Sequence, residues 1–209
     1  MTLFPGVILA GGQSTRMGRA DKPLLSLNGK PLLAHVIARL GPQAAPLALS
    51  ANGDPDRFAA YGLPVLPDSI PGFPGPLAGV LAGLDWAAGL GAKAIVTVAA
   101  DTPFFPTDLV ARLTETATGQ AHPLVLAATP RGGQATKSMT GGLIRHPTFG
   151  LWPVALRDDL RAALTDGLKK VVLWTDRHDG RLAEFSNKPL DPFFNVNTPE
   201  DLAQAETLA

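Results

Sequence analysis

Near its N-terminus the chain reads Val7-Ile8-Leu9-Ala10-Gly11-Gly12-Gln13-Ser14-Thr15-Arg16-Met17-Gly18-Arg19-Ala20-Asp21-Lys22. The apolar run at the start of this stretch is typical of a buried strand. The two glycines that follow have no side chains, so their backbone N–H groups can approach an anion closely. Arg16 and Lys22 then add a guanidinium fork and an ammonium group. The stretch therefore predicts a strand that ends in a loop for a phosphate chain.

Two widespread phosphate-binding patterns do not match this stretch. A Walker A loop needs a glycine, four residues and then Gly-Lys-Ser/Thr, which the residues from Gly12 to Lys22 do not provide. The dinucleotide-binding pattern G-x-G-x-x-G is also absent, because Gly11 and Gly12 are adjacent. A glycine pair near basic residues also occurs in ordinary turns. The functional interpretation therefore depends on the Arg-Met-Gly and Asp-Lys groups that follow the pair.

The composition indicates a folded protein without a strong overall charge. The 209 residues suffice for one domain with a sizeable core, and we expect a single domain over residues 1–209. Hydrophobic residues make up 45% and charged residues 17%, so extended disorder is not expected. Lys plus Arg and Asp plus Glu both total 18, which argues against binding of nucleic acid or a membrane by the whole surface. The chain has no cysteine for a disulfide or a thiolate metal site. Without a signal-peptide pattern or an apolar run of about 18 residues, we expect a cytoplasmic protein.

Strands and helices alternate along the first 130 residues. The apolar patterns predict strands over 7–9, 47–51, 64–67, 94–99 and 124–128. They predict helices over 31–40, 54–61, 77–88 and about 108–116. This alternation predicts an α/β fold with a mostly parallel sheet flanked by helices.

The last third of the chain gives weaker signals. We expect a glycine-rich loop over 131–142, an edge strand over 149–152 and a helix over 154–164. The apolar run 171–174 fits a strand or a helix equally well. A terminal helix is expected over 200–208, with Thr198 as its N-cap and Pro199 in its first turn.

Polar side chains follow three of the predicted strands, namely Asn52, Asp68 and Asp101. Ligands of open parallel sheets bind beyond the carboxyl ends of the strands, so we expect these residues and the glycine loop to share one edge. Asp101 directly follows a buried strand, where its carboxylate could bind Mg²⁺ or cap the turn that begins at Thr102. Asn52 and Asp68 could also serve only as turn residues.

Several motifs occur in an order that is typical of one enzyme family. They are Leu9-Ala10-Gly11-Gly12, Arg16-Met17-Gly18, Asp21-Lys22, Leu27-Asn28-Gly29-Lys30-Pro31-Leu32, Asn52, Asp68-Ser69, Pro74-Gly75-Pro76-Leu77-Ala78-Gly79, Asp101-Thr102-Pro103-Phe104 and Phe194-Asn195-Val196-Asn197-Thr198-Pro199-Glu200-Asp201-Leu202. The first loop alone indicates only a nucleotidyltransferase. The whole set covers nearly all of the chain and resembles the molybdenum cofactor guanylyltransferases.

The resemblance implies a Rossmann-like nucleotidyltransferase fold with a less regular C-terminal part. In it, residues 1–120 would bind the nucleotide and residues 121–209 the acceptor. The implied reaction transfers GMP from GTP to molybdenum–molybdopterin with Mg²⁺ as cofactor, and releases pyrophosphate. The expected partners besides these substrates are molybdoenzymes or cofactor-delivery proteins in transient contact with a monomer.

The resemblance also implies roles for individual residues. The implied catalytic residues are Arg16, Lys22 and Asp101, and Asp101 is also the implied metal ligand. GTP contacts are implied for Leu9, Ala10, Gly11, Gly12, Lys22, Asn52, Asp68 and Asp101. Asn195 and Asn197 would lie near the pterin substrate or the metal, although they could also cap the last helix.

Residues 131–146 depart from the family pattern, because this region looks longer than usual. Arg131, Lys137 and Arg145 within it could bind the pterin phosphate, or the region could be a solvated insertion. This leaves the acceptor site the least specified part of the prediction.

Three other functions remain as alternatives. A cytidylyltransferase for the same cofactor resembles this chain, but Gly12 and the Thr102-Pro103 pair favour GTP. In sugar-1-phosphate nucleotidyltransferases the first loop is usually longer, whereas five residues separate Arg16 from Lys22 here. A nucleotide-binding regulator without turnover is disfavoured by the joint presence of Arg16, Lys22 and Asp101.

Overall fold

The computed structural model describes residues 3–11, 21–70, 75–131, 139–140, 142–168 and 170–208. They form ten strands: β1 (Gly6–Leu9), β2 (Ser26–Leu27), β3 (Lys30–Pro31), β4 (Leu47–Ser50), β5 (Val65–Leu66), β6 (Ala94–Ala99), β7 (Val125–Pro130), β8 (Met139–Thr140), β9 (Leu143–Pro153) and β10 (Arg181–Glu184). The α-helices are α1 (Leu32–Leu40), α2 (Pro76–Gly89), α3 (Leu109–Thr116), α4 (Arg157–Thr165), α5 (Val171–Arg177) and α6 (Pro199–Leu208). Short 3-10 helices cover Lys22–Leu24, Pro55–Tyr61 and Val154–Leu156. Within these ranges, no helix has both the length and the apolar character needed to cross a membrane.

Eight of the strands form one sheet with the order β10-β7-β9-β6-β1-β4-β5, and β8 pairs with β9. The central strand β1 is parallel to β4 and to β6, and β5 continues parallel to β4. On the other side β9 is antiparallel to both β6 and β7, while β10 is parallel to β7. The predicted α/β fold with a mostly parallel sheet is therefore confirmed.

The core lies in two layers, one on each face of this sheet. Successive side chains of β1 point to opposite faces, so Ile8 packs with α1 and α3, whereas Val7 and Leu9 pack with α2, α4 and α5. The strand β6 is buried along its whole length, as its uninterrupted apolar run predicts. The sheet is thus covered by helices on both faces, and its carboxyl edge remains for ligands.

Two glycines of α2 bring this helix close to the sheet. A Cβ on Gly79 would lie 2.5 Å from the Ser50 hydroxyl oxygen and 3.0 Å from a Leu9 methyl carbon. A Cβ on Gly83 would lie 2.8 Å from a methyl group of Val7. A larger residue at position 79 would push α2 away from the ends of β1 and β4, where the predicted nucleotide loop begins, and one at position 83 would push it away from β1 and β6.

The prediction of an edge strand over 149–152 is wrong. These residues belong to the eleven-residue strand β9, which lies inside the sheet between β6 and β7. The pairing of β7 with β9 shifts between Leu126 and Ala127, whose partners are Gly150 and His146. The shift leaves Pro147 out of the paired residues, and this irregularity accommodates a proline that cannot donate to a ladder. The proline interrupts the apolar pattern, which hides the strand in the sequence.

The remaining C-terminal elements differ in how well the sequence predicts them. The ambiguous run 171–174 is the first part of helix α5, and the strand β10 was not predicted. The last helix begins as expected, because the Asp201 N–H donates to the Thr198 hydroxyl at 3.1 Å. The less regular stretch covers residues 185–198, between β10 and α6. Of the predicted loop over 131–142, residues 132–138 and 141 lie outside the described residues.

Candidate active site

The carboxyl ends of β1, β4, β5 and β6 meet at one edge of the sheet, because these four strands are mutually parallel. Asn52 and Asp68 follow β4 and β5, and Asp101 follows β6. Ala10 continues β1 and donates its N–H to the Ser50 carbonyl at 2.9 Å. The predicted placement of these residues at one edge is therefore confirmed. Leu9, Ala10 and Gly11 lie at the centre of this edge, whereas Gly12 and Arg16 lie outside the described residues.

Asn52 and Asp68 form a pair with two hydrogen bonds. The Asn52 Nδ2 donates to Asp68 Oδ2 at 2.7 Å, and the Asp68 backbone N–H donates to Asn52 Oδ1 at 2.9 Å. Asn52 is exposed and Asp68 is half-buried, so this pair is accessible from solvent. The amide fixes the direction of the carboxylate, so the pair presents an oriented hydrogen-bond acceptor beyond β4 and β5.

Lys22, Asp101 and Asn197 meet although they are far apart in the sequence. The Lys22 ammonium donates to Oδ2 of Asp101 and to Oδ1 of Asn197. Lys22 is held by the 3-10 helix Lys22–Leu24, in which Pro23 is buried. The Lys22 and Asp101 side chains are 18% and 25% exposed, so solvent screens this ion pair only in part.

Thr102 connects Asp101 to the C-terminal loop. Its fully buried hydroxyl lies 3.1 Å from Asp101 Oδ1 and also contacts the amide of Asn195. The contact on Asn195 is the amide Oδ1, so both neighbours are acceptors and the single hydroxyl proton of Thr102 donates to one or the other. The Val196 N–H in addition donates to the Asp101 carbonyl at 2.9 Å. Asn195 therefore supports Asp101 through Thr102, whereas Asn197 faces Lys22 directly.

The start of α6 fixes Asn197. The Asp201 carboxylate accepts from the backbone N–H groups of Asn197 and Thr198, each at 2.9 Å. This places the last helix of the chain directly behind the Asn197 side chain that reaches Lys22. The N-cap of α6 is thus Thr198, and the side chains of Asn195 and Asn197 contact Thr102 and Lys22 instead.

A half-buried histidine supports the loop that carries these asparagines. The His146 ring stacks on Phe193, with ring centroids 4.2 Å apart. Burial lowers the pKa of His146 from 6.5 to about 4, although the nearby Asp191 carboxylate acts in the opposite direction. Its Nε2 lies 2.9 Å from the Thr129 hydroxyl. His146 is thus a neutral packing residue at neutral pH.

The oxygen atoms of Asp101 and Asn197 suit a hard divalent cation. One cation, the Lys22 ammonium, already contacts both of them, which shows that the two oxygens can share a positive charge. Among the residues that the structure describes, no group of three or more His, Cys, Asp and Glu side chains could hold a metal. A metal at this site would therefore need phosphate or water oxygens to complete its coordination.

The basic residues proposed for the acceptor are only partly described. Lys137 lies outside the described residues, and Arg131 is exposed at the end of β7. Arg145 lies beside Ala128 of β7 and donates to Asp176 at 2.7 Å.

Sequence reasoning missed two residues beside the site. Thr102 was noted only as part of a motif, and the burial of its hydroxyl is a tertiary property. Arg57 was not noted, yet it donates to Asp21 at 2.7 Å and to the Asn52 carbonyl at 2.8 Å. Nothing in the local pattern around Arg57 distinguishes it from an ordinary surface arginine.

Known proteins resemble this chain along its whole length. A family model described as a MobA-like NTP transferase domain matches residues 6–180. A molybdenum cofactor guanylyltransferase of Bradyrhizobium sp. (strain ORS 278) is 53% identical over 211 residues, covering 100% of this chain and 94% of the relative. Another, of Rhodopseudomonas palustris (strain BisB5), is 50% identical over 208 residues, covering 98% and 93%.

A solved structure agrees with the fold. The molybdopterin-guanine dinucleotide biosynthesis protein A of Archaeoglobus fulgidus superposes with a TM-score of 0.73 over 98% of both chains. Its sequence identity of 20% supports the shared fold alone. The two relatives and the family model go further, and by them this chain belongs to the molybdenum cofactor guanylyltransferases, a family of nucleotidyltransferases.

Proposed function

We propose that this chain transfers GMP from GTP to molybdenum–molybdopterin, forming the molybdopterin guanine dinucleotide and pyrophosphate. GTP and molybdopterin are substrates that fit guanylyltransferase function. The structural observation that carries the proposal is the contact of Lys22 with both Asp101 and Asn197 at the carboxyl edge of the sheet. Here a cation and two oxygen ligands lie at the same edge of the sheet as Gly11.

We propose that the nucleoside binds at the Asn52–Asp68 pair. The Asp68 carboxylate, oriented by Asn52, would accept from an N–H or O–H group of guanosine. The backbone of Leu9, Ala10, Gly11 and Gly12 would lie along the nucleotide. Strands β4 and β6 are separated only by β1, and β5 lies beyond β4, so the pair lies roughly 10–15 Å from Asp101 across the edge. A nucleotide with its base at one end and its phosphates at the other could span such a distance.

We propose that the triphosphate binds at the two basic side chains. Lys22 and Arg16 would contact phosphate oxygens and compensate the charge that shifts to pyrophosphate during transfer. An oxygen of the terminal acceptor phosphate attacks the α-phosphorus, and the bond from this phosphorus to the pyrophosphate oxygen breaks. The attacking phosphate is already an anion, so it needs no strong general base. Alignment and charge compensation then supply most of the catalysis.

Nucleotidyltransferases of this family generally use a divalent metal. We propose Mg²⁺ in this role, held by the carboxylate of Asp101 and the amide oxygen of Asn197. When bound, the ion supplies charge neutralisation and orientation of the phosphates. Thr102 keeps the Asp101 carboxylate in place through the bond to Oδ1, and it leaves Oδ2 facing Lys22.

We propose that residues 121–209 bind the acceptor and that residues 1–120 bind the nucleotide. Asn195 would act near the pterin side, because it extends from the C-terminal loop to Thr102. We also propose that the protein is a cytoplasmic monomer that passes its product to molybdoenzymes or delivery proteins by transient contact. Size-exclusion chromatography with light scattering tests the monomer directly.

The test of the reaction is a turnover assay with molybdenum–molybdopterin and either GTP or CTP. The dinucleotide product is separated by chromatography and identified by its mass, and pyrophosphate is measured in parallel. GTP is expected to be used in strong preference to CTP. Preference for CTP would make the chain a cytidylyltransferase, and transfer to a sugar 1-phosphate would refute the pterin acceptor.

A further inference from the structure

We infer that Arg57 is a positioning residue for the nucleotide, a role that rests on the proposed function. Its guanidinium joins the residue before Lys22 to the loop that carries Asn52. It thereby holds the phosphate-binding side of the site in a set position relative to the nucleoside-binding side.

The contacts of Arg57 come from two different parts of the chain. Its Nη1 donates to Oδ1 of Asp21 at 2.7 Å, across 36 positions of the sequence. Its Nη2 donates to the backbone carbonyl of Asn52 at 2.8 Å. Asp21 directly precedes Lys22, and the Asn52 side chain is bonded to Asp68. One guanidinium therefore links both groups of the proposed nucleotide site.

Contacts within its own segment hold Arg57 in place. Its guanidinium carbon lies 4.6 Å from the centroid of the Phe58 ring, and Phe58 is buried in the core. The 3-10 helix Pro55–Tyr61 that carries it begins with an Asp54 carboxylate that accepts from the Asp56 N–H at 3.0 Å. The arginine therefore extends from a capped segment that is packed on the core.

The bonding pattern favours an arginine. Two nitrogens of a planar fork donate in fixed directions to two separate acceptors, whereas a lysine ammonium donates from a single atom on a flexible stem and does not hold two acceptors in a fixed geometry. The Arg57 Nε is buried without a hydrogen-bond partner among the described residues. Such a group lowers stability, so stability alone is a poor reason for an arginine here.

The linkage has a specific consequence for binding. GTP would have to contact Asp68 and Lys22 at the same time, and a fixed distance between them reduces the ordering that binding requires. Loss of the linkage should therefore weaken binding of the nucleotide. It should leave binding of the acceptor unchanged, because Arg57 contacts no part of the C-terminal loop in the described structure.

The test compares Arg57→Lys with Arg112→Lys. Arg112 is a matched control because its guanidinium also lies 4.6 Å from a phenylalanine centroid and also donates to a backbone carbonyl, but it is far from the proposed nucleotide contacts. We expect Arg57→Lys to raise the KM and the Kd for GTP about threefold to tenfold, with kcat and the acceptor KM nearly unchanged. Arg112→Lys should leave all of these constants unchanged. Equal GTP affinity of Arg57→Lys and the wild type, or an equal loss in the control, would overturn the inference.

A second variant tests the linkage even if Arg57→Lys impairs folding. Asp21→Asn removes the charge that Arg57 contacts without disturbing the packing on Phe58, and it should weaken GTP binding in the same direction. The double variant Asp21→Asn with Arg57→Lys should bind GTP no more weakly than the worse single variant, whereas fully additive losses would contradict the linkage. Titration of GTP and CTP without acceptor keeps this result separate from the reaction, because the comparison applies to whichever nucleotide the wild type binds.

Discussion

The ammonium of Lys22 donates to the carboxylate of Asp101, a residue 79 positions later in the chain. The contact brings the end of the glycine-rich segment to the end of β6, the strand that carries Asp101. Both side chains are mostly shielded from solvent, so removal of either residue leaves a poorly compensated charge on the other. Functional tests of this pair should therefore include a measurement of stability.

Lys22→Ala should reduce GMP transfer by about a hundredfold or more, because a cation beside the transferred phosphate is lost. Lys93→Ala is the matched control, since Lys93 is exposed, directly precedes β6 and lies outside the Asp21-Lys22 motif. It should retain nearly full activity. Initial rates at saturating GTP and acceptor measure the difference, and equal rates of the two variants would remove Lys22 from the mechanism.

Asp101→Asn should reduce transfer by about two to three orders of magnitude, because the amide cannot supply the negative charge that a divalent cation requires. The rate should be measured as a function of Mg²⁺ concentration, and the variant should show a much weaker dependence. An Asp101→Ala protein with full GMP transfer would show that this carboxylate is not the metal ligand.

Thr102→Val should lower stability by about 0.5–1.5 kcal/mol, since Asp101 and Asn195 lose the buried hydroxyl that contacts both of them. It should also raise the Mg²⁺ concentration needed for half-maximal rate, because Asp101 is less well oriented. Thr102→Ser restores the hydroxyl and should recover the metal dependence. If the valine variant shows wild-type dependence on Mg²⁺, Thr102 has only a structural role.

Acid should destabilise the protein through His146. Its pKa is about 4 in the folded chain and 6.5 without burial, so the unfolded chain binds more protons between these values. Above pH 6.5 His146 does not lower the free energy of unfolding. As the pH drops to 4, protonation of the unfolded chain at this residue lowers that free energy by up to about 3 kcal/mol.

Urea unfolding of the wild type and of His146→Gln at pH 7 and pH 4.5 measures this effect. The variant should lose less stability between the two pH values than the wild type, whereas His122→Gln, at an exposed position, should behave as the wild type. An identical pH dependence of His146→Gln and the wild type would exclude His146 as the source.

Short-range patterns were sufficient to predict a strand that is buried along its whole length and a helix that begins with an N-cap. The continuous apolar run Ala94–Ala99 predicts β6 to the residue, because a strand buried on both faces needs no polar alternation. Thr198 and Pro199 predict the start of α6 for a similar local reason. In contrast, the position of β9 inside the sheet depends on pairing with two distant strands and on an irregularity that accommodates Pro147.

For the site, the sequence by itself determined the residue types and their order, from the glycine loop through Asp101 to the Asn-Val-Asn motif. It also determined which polar residues follow strands, and hence that Asn52, Asp68 and Asp101 share an edge. Only the tertiary structure decided that Asn197 faces Lys22, that Thr102 is a buried link, and that Arg57 joins Asp21 to Asn52. These contacts join residues whose relative positions are set by strand order and by packing of the C-terminal loop, and no local pattern encodes such distances.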